Sequence, residues 1–404
     1  MTARTRARTR ARTAVASALL AALVVGPLAG AAVAVQPGAT ASGAEVPGAV
    51  SSVGDVPVDG GPDIAALEKA LTGIPDGDIS AALVRVGGKG GWTGTAGVRD
   101  LRTGAPALES ARFRAGSTTK VVTAALVLQL VAEGRVKLDA PVTRYLPGLL
   151  PDSFTEPPTV RHLLTYTSGL QPGANLGSTT EEMYPNRFRT LSPQRVVATA
   201  VAKGPISAPG ERQKYQNIDY TVLGLLIEKV TGDRYEHQAD VRIFRPLGMR
   251  HTGFPAGPDP RIHGPHHRAY TDIGGRTTDV TEWNMSDRWA AGNMISTTAD
   301  LERFLVALFR GEVVPQPLLD QMFVVPDVEG ASYGMALERF VHDGTEIWGK
   351  TGSRPGYHTV LAATRDLSRT VVYSVNAKSA REDGFPLVAR FALPAFNRWT
   401  SHSE

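Results

Sequence analysis

The sequence predicts a mixed α/β fold of the α+β kind. An antiparallel sheet built from the N- and C-terminal parts of the chain is flanked by helices and interrupted by a mostly helical region between roughly residues 130 and 330. Three observations predict it. β-like runs cluster near both ends, segments of helical spacing fill the middle, and 42% hydrophobic content over 404 residues supplies a large core. The glycines have no three-residue period and there is no cysteine, which excludes collagen-like and disulfide-stapled chains, thiol catalysis and Cys-based metal sites.

Taken in order, the chain opens on Arg4, Arg6, Arg8, Arg10 and Arg12, followed by an apolar run of Ala, Leu and Val that ends in Ala32-Val33-Ala34. A basic stretch, an apolar stretch and a small-x-small site form a secretory signal, so residues 1–34 are expected to be removed and the protein secreted into the extracellular or cell-wall space. The whole chain carries a formal charge of +4; removing those five arginines from 43 basic residues leaves 38 against 39 acidic, a net charge near −1. The mature part therefore gives no electrostatic reason to seek nucleic acid. Residues 35–62 are Gly, Ala, Val, Ser and Pro with few charges, a composition that buries too little to offset its ordering entropy and reads as a flexible linker. No later segment has 18 uninterrupted apolar residues, so no stable membrane span is expected after signal cleavage. Residues 63–404 are expected to form the functional domain, acting as a monomer.

In that domain, residues 79–86 and 92–98 are β-like and joined by Gly87-Gly88-Lys89-Gly90-Gly91, a hairpin signal. Ser117 then opens a helical pattern that runs to Gly134, with Val121, Val122, Ala125, Leu126, Leu128 and Val131 on a wide apolar face. Helical patterns follow at 193–202, 221–230, 235–244 and 299–309. Strand character returns at 333–337, 346–348, 358–363 and 370–375, and a last helix is expected over 385–397. A cleft between the sheet and the helical region is the natural place for a site.

Three short motifs carry chemistry. In Ser117-Thr118-Thr119-Lys120, Ser and Lys at i and i+3 share one helix face, so the Lys120 amine reaches the Ser117 hydroxyl. Free N–H groups of the first turn favour negative charge developing there, and a desolvated Lys can take the serine proton. Alone this pattern is weak, since an N-cap Ser with a solvated Lys accounts for it equally well. In Tyr215-Gln216-Asn217, at a loop-to-helix junction, a phenol and an amide can both face a cleft, one moving protons and the other contacting a substrate amide. In Lys350-Thr351-Gly352-Ser353, at the end of a β-like run, a strand edge can pair with an extended substrate while Lys350 and Thr351 meet a carboxylate. The Ser353 N–H can join that of Ser117 as an oxyanion hole, and Gly352 permits close approach.

Other patterns lead nowhere. Gly344, Gly349, Lys350 and Thr351 satisfy the P-loop spelling, but the intervening residues look like strand and Gly352 and Pro355 stop any helix. His263, His266 and His267 lie among Gly and Pro without an H-E-x-x-H arrangement and read as loop, so neither metal nor cofactor is expected.

The order S-x-x-K, Y-x-N, K-T-G, with separations of 98 and 135 residues, resembles the serine β-lactamase and penicillin-binding protein superfamily. Within it the chain is most similar to secreted D-alanyl-D-alanine carboxypeptidases and class C β-lactamases. The similarity extends to framework stretches, among them residues 126–150 (LVLQLVAEGRVKLDAPVTRYLPGLL) and 160–170 (VRHLLTYTSGL). The resemblance implies a β-lactamase-like fold, Ser117 as the acylated nucleophile, Lys120 as its proton partner and Tyr215 as general base or acid. It implies Asn217, Lys350, Thr351, Gly352 and Ser353 as substrate-binding. Which of Lys120 and Tyr215 takes the serine proton stays open, and Lys120 and Lys350 are expected jointly to depress the Tyr215 pKa.

The implied activity is a penicillin-binding D-Ala-D-Ala carboxypeptidase acting through an acyl-enzyme, on a small peptide substrate or a β-lactam. A β-lactamase or esterase on the same scaffold is the alternative, and a non-catalytic sensor of β-lactam or wall peptide is the reading of a different class. One departure stands out. Such carboxypeptidases usually carry an Arg on the strand before the third motif; here Glu338 stands at that place, with Arg339 one step off and Arg354 as a possible substitute.

Overall fold

The computed structural model describes residues 60–381 and 384–397. The signal at 1–34 and all but the last residues of the linker at 35–62 lie outside the described residues. A short helix, Ile64–Leu71, which the sequence pattern did not reveal, precedes the sheet. β1 (Ile79–Gly88) and β2 (Trp92–Asp100) form the expected hairpin, and β3 (Ala105–Pro106) extends it. β4 (Phe113–Arg114) then leads into the helical region, where β5 (Tyr270–Ile273) and β6 (Arg276–Asp279) make a small hairpin and β7 (Ile295–Ser296) pairs with β4. β8 (Glu338–His342), β9 (Thr345–Arg354), β10 (Tyr357–Ala363) and β11 (Arg369–Ala377) complete the main sheet. Its order is β3-β2-β1-β11-β10-β9-β8 and all its pairings are antiparallel. The first and last parts of the chain meet at its centre, with Leu83 opposite Ser374.

Both faces of this sheet are covered, so its central strands show no polar alternation. Successive side chains still point to opposite faces. Leu83, Leu361 and Val372 enter the core shared with the helical region, whereas Val84, Val360 and Val371 face a second core closed by Ile64–Leu71 and by Phe385–Phe391. In the helical region, Thr119–Ala132 is buried almost all round, including Lys120, which marks it as the central helix. Asn217–Thr231 packs beside it and ends at Gly232, whose left-handed φ of +73° is a conformation glycine adopts without penalty.

The structure corrects the predicted elements at several points. Residues 333–337 are not a strand; Ala336 has φ +67° and the Gly334 N–H donates to the Leu337 carbonyl, a tight turn that delays the strand to Glu338. β9 is longer than expected and carries Lys350 to Ser353 inside the strand rather than beyond it. Ser117 lies in a 3₁₀ turn, Gly116–Thr118, and the α-helix starts at Thr119. The final helix stops at Phe391, followed by a 3₁₀ turn Leu393–Ala395. Among the described residues, no helix is long and apolar enough to cross a membrane.

Candidate active site

The turn carrying Ser117 is fixed from both sides. β4 pairs with β7, the Ala115 N–H donates to the Met294 carbonyl, and the Thr118 and Thr119 hydroxyls donate back to the Ala115 and Gly116 carbonyls. β9 runs directly against this turn. A Cβ on Gly116 would stand 2.6 Å from the Ser353 nitrogen, and one on Gly352 only 2.1 Å from the Ala115 carbonyl oxygen and 3.2 Å from the Ser117 nitrogen. No side chain fits at either place, so two glycines bring the amide nitrogens of Ser117 and Ser353 to one spot.

Lys120 extends from the first turn of the buried helix into the same space. Its Nζ is 3.1 Å from Ser117 Oγ, 2.7 Å from Asn217 Oδ1 and 2.7 Å from the Ala291 carbonyl oxygen. Lys120 has no exposed surface. Burial drives its pKa well below that of a free lysine, with Lys350 and Arg288 acting in the same direction and Asp219 opposing them.

Tyr215 joins a packed set of tyrosines, 4.8 Å from Tyr166 and 5.5 Å from Tyr333 between ring centroids. Lys120 and Lys350 lie over its ring, with Nζ 5.0 and 4.6 Å from the centroid. Among the described residues its buried hydroxyl has no hydrogen-bond partner, Ser117 lying near it but outside bonding geometry. The expectation that the two lysines depress the Tyr215 pKa is overturned. Burial raises it above the ordinary phenol value; Ser117 and Arg288 oppose that shift without reversing it. The lysine nitrogens lie over the ring rather than at the hydroxyl, where they bear little on its ionisation.

Lys350 is itself buried, donates to the Thr351 carbonyl at 3.0 Å and has its pKa pulled down to about 8 by desolvation, with Glu338 opposing. β8 pairs with β9 only from Thr345 to Gly349, so residues 350–354 form an edge unpaired by β8 on the side where Ser117 stands. Thr351 is half-buried on this edge, and the Ser353 hydroxyl is spent on the Ala380 carbonyl at 2.6 Å. The three motifs singled out in the sequence are thus brought together: Lys120 reaches Ser117 and Asn217, Tyr215 lies between Lys120 and Lys350, and β9 sets Gly352 and Ser353 against the Ser117 turn.

A family model described as beta-lactamase matches residues 66–392, most of the chain. The chain belongs to the β-lactamase family. Among curated relatives, this family member is similar to esterase EstB of Burkholderia gladioli, 36% identical over 42% of the chain and 45% of that protein. It is also similar to the putative penicillin-binding protein PbpX of Bacillus subtilis, 27% identical over 66% of the chain and 62% of that protein. The chain thus spans roughly half to three-fifths of the length of these two relatives. Among solved structures, a D-stereospecific amidohydrolase from Streptomyces sp. superposes with a TM-score of 0.72 at 32% identity, covering 82% of this chain and 99% of that one. D-amino acid amidase from Ochrobactrum anthropi SV3 superposes with 0.64 at 27%, covering 78% and 91%.

Within the β-lactamase family frame, the two arginines proposed from sequence as carboxylate partners are both engaged elsewhere. Arg339 pairs with Glu346 across β8 and β9 at 2.6 Å. Arg354 is 4% exposed and bound to Asp287 at 3.2 Å. Several participants were missed in the sequence. The Ala291 carbonyl has no side-chain signal at all. Asp219 is fully buried, accepts from Ser168 at 2.5 Å and has its pKa raised by desolvation, with Ser168 and Lys120 pulling the other way. A carboxylate on the buried face of the helix, two residues after Asn217, was the readable clue. Among the described residues, no group of three or more His, Cys, Asp or Glu side chains is arranged to hold a metal.

Proposed function

We propose that the protein is a serine hydrolase that forms an acyl-enzyme on Ser117 and cleaves peptide or amide bonds next to a D-configured residue, D-alanyl-D-alanine peptides among them. The carrying observation is the set of three contacts at Lys120 Nζ. Two are carbonyl oxygens, of Asn217 and Ala291, which can only accept. A neutral amine satisfies both with its two N–H groups, and the Ser117 hydroxyl, 3.1 Å away, can then turn to donate its proton to the amine's lone pair. Burial favours that neutral form, so Lys120 acts as the base. Tyr215, held as a phenol by burial, is suited to deliver a proton to the departing group.

The reaction follows. Ser117 Oγ loses its proton to Lys120 and attacks the substrate carbonyl; the oxyanion is received by the Ser117 and Ser353 N–H groups, each such donor being worth about 3 kcal/mol. The C–N bond breaks as the amine takes the Tyr215 proton, which the Lys120 ammonium restores; water then gives a proton to Lys120 and attacks the ester, and the acyl C–O bond breaks as that proton returns to Ser117 Oγ. The open edge at residues 350–354 supports an extended, peptide-like substrate lying beside β9. The likeness to a D-stereospecific amidohydrolase and a D-amino acid amidase supports the D-configuration. The EstB likeness favours ester cleavage as a second reading, since an ester departs without the proton an amine needs.

Incubation with penicillin, with a diacyl-D-Ala-D-Ala peptide, with D-alaninamide and with a p-nitrophenyl ester, followed by intact mass and product release, tests the reading. Amide cleavage with an adduct on Ser117 supports it; ester cleavage alone selects the esterase; an adduct persisting in Ser117→Ala overturns it. We further propose export of the chain as a monomer, checked by an N-terminus at Val35 on the secreted protein and by its mass in solution.

A further inference from the structure

Arg288 ends a 3₁₀ turn, Ser286–Arg288, just before the short helix Trp289–Gly292 that supplies the Ala291 carbonyl to Lys120. It leaves the backbone beside the Ser117 turn: a Cβ on Gly292 would lie 3.2 Å from Arg288 Cβ and 3.6 Å from the Gly116 carbonyl carbon. Its side chain keeps 21% of its surface exposed, and among the described residues its one ion pair is with Asp287, 3.6 Å away. That carboxylate is already held by Arg354 at 3.2 Å and is itself buried. Two guanidinium groups therefore share one carboxylate. Arg381 stands close enough for its charge to act on Arg354, Arg288 and Asp287, and its partners among the described residues are the neutral Thr180 and Met183.

Direction along β9 decides which part of a substrate this charge meets. Lys350 and Thr351 lie on one side of the Gly352–Ser353 contact with Ser117, and Arg354, with Arg288 next to it through Asp287, lies on the other. A chain lying beside β9 with its leaving group at Lys350 and Thr351 carries its acyl arm past Ser353 toward Arg288. At about 3.3 Å per residue, Arg354 is one to two residues of extended chain from the reacting carbonyl.

We propose that Arg288, backed by Arg354, recognises a carboxylate on the acyl portion of the substrate, so that the enzyme selects acidic acyl chains. Arg354 is too buried to meet a substrate itself; bound to Asp287, it leaves that carboxylate less able to neutralise Arg288. Arg288 donates from Nη1 to the Asp287 carbonyl at 3.2 Å and keeps its other donors beside the Ser117 turn, suited to a forked contact with a carboxylate.

This inference rests on the acyl-enzyme reading, and the experiment separates the two. Rates of acylation are compared for the p-nitrophenyl esters of succinyl-D-alanine and acetyl-D-alanine, which share a leaving group and differ by one acyl-side carboxylate. Wild type is expected to prefer the succinyl ester by about tenfold or more in kcat/KM, the worth of one charge-assisted contact. Arg288→Gln is expected to collapse that ratio toward one, and Arg288→Lys to keep part of it. A wild-type ratio near one, or a ratio that survives in Arg288→Gln, overturns the inference while leaving the acyl-enzyme intact. Failure of either ester to acylate Ser117 overturns the acyl-enzyme reading first.

Discussion

At the scale of single residues, the site works by setting two lysines apart. In the proposed mechanism Lys120, buried against two carbonyls with its pKa driven well down, is the neutral base, whereas Lys350, with Glu338 opposing its desolvation, has its pKa lowered to about 8. If the first must be neutral and the second charged, kcat/KM for an anionic substrate rises with pH as Lys120 loses its proton, from well below the ordinary lysine range. It then falls above about pH 8 as Lys350 loses its own. Lys350→Arg carries a guanidinium that does not titrate there, and is expected to move the descending limb to higher pH; a limb that stays put assigns it elsewhere. The residues of this arrangement were legible because side chains at fixed spacings carry chemistry. The direction of the Tyr215 shift was not, because it follows from how deeply the ring is packed among Tyr166, Tyr333 and two lysines, and depth has no local signature.

At the scale of elements, the decisive contact is between β9 and the turn Gly116–Thr118. Gly352→Ala would drive a methyl group against the Ala115 carbonyl, and is expected to cost about 1–3 kcal/mol in urea unfolding. It is also expected to slow acylation by about a hundredfold, because the turn and Ser353 must separate and the two oxyanion donors no longer converge. A variant with full activity would show that β9 yields without disturbing Ser117. Element type was readable wherever period and composition agreed, as in β1, β10 and the Asn217–Thr231 helix. It failed over residues 333–337, where an apolar run reads as strand but the backbone turns at Ala336, and it ended the strand at residue 348, placing Lys350 to Ser353 at the end of the run although they continue β9. Hydrogen bonding decided both: the Gly334 N–H closes the turn on Leu337, and hairpin pairing with β10 carries β9 on through Lys350 to Ser353.

At the scale of the whole molecule, the second core makes the sheet two-sided. Leu387, Phe391 and Phe396 cover Val84, Val371, Tyr373 and Val375 on the face away from the site. Deleting the chain from residue 385 onward would expose that face. The expected result is loss of a cooperative thermal transition and aggregation, rather than an active shortened enzyme. A cooperative melt in the truncated protein would make the second core dispensable. The general plan, strands at both ends of the chain joined in one sheet with helices between, was legible from where the patterns fall; that β1 and β11 are neighbours at its centre was not, because nothing within either strand names its partner.

That central pairing has a consequence in time. Ser117 and Lys120 emerge early, but Ser353 reaches them only on β9, and β9 is anchored through β10 and β11 to β1, nearly 300 residues back along the chain. Until the last strand docks there is no second oxyanion donor and no substrate edge. On the proposed mechanism, the serine is therefore expected to stay chemically silent throughout synthesis and to become reactive only when the fold is complete.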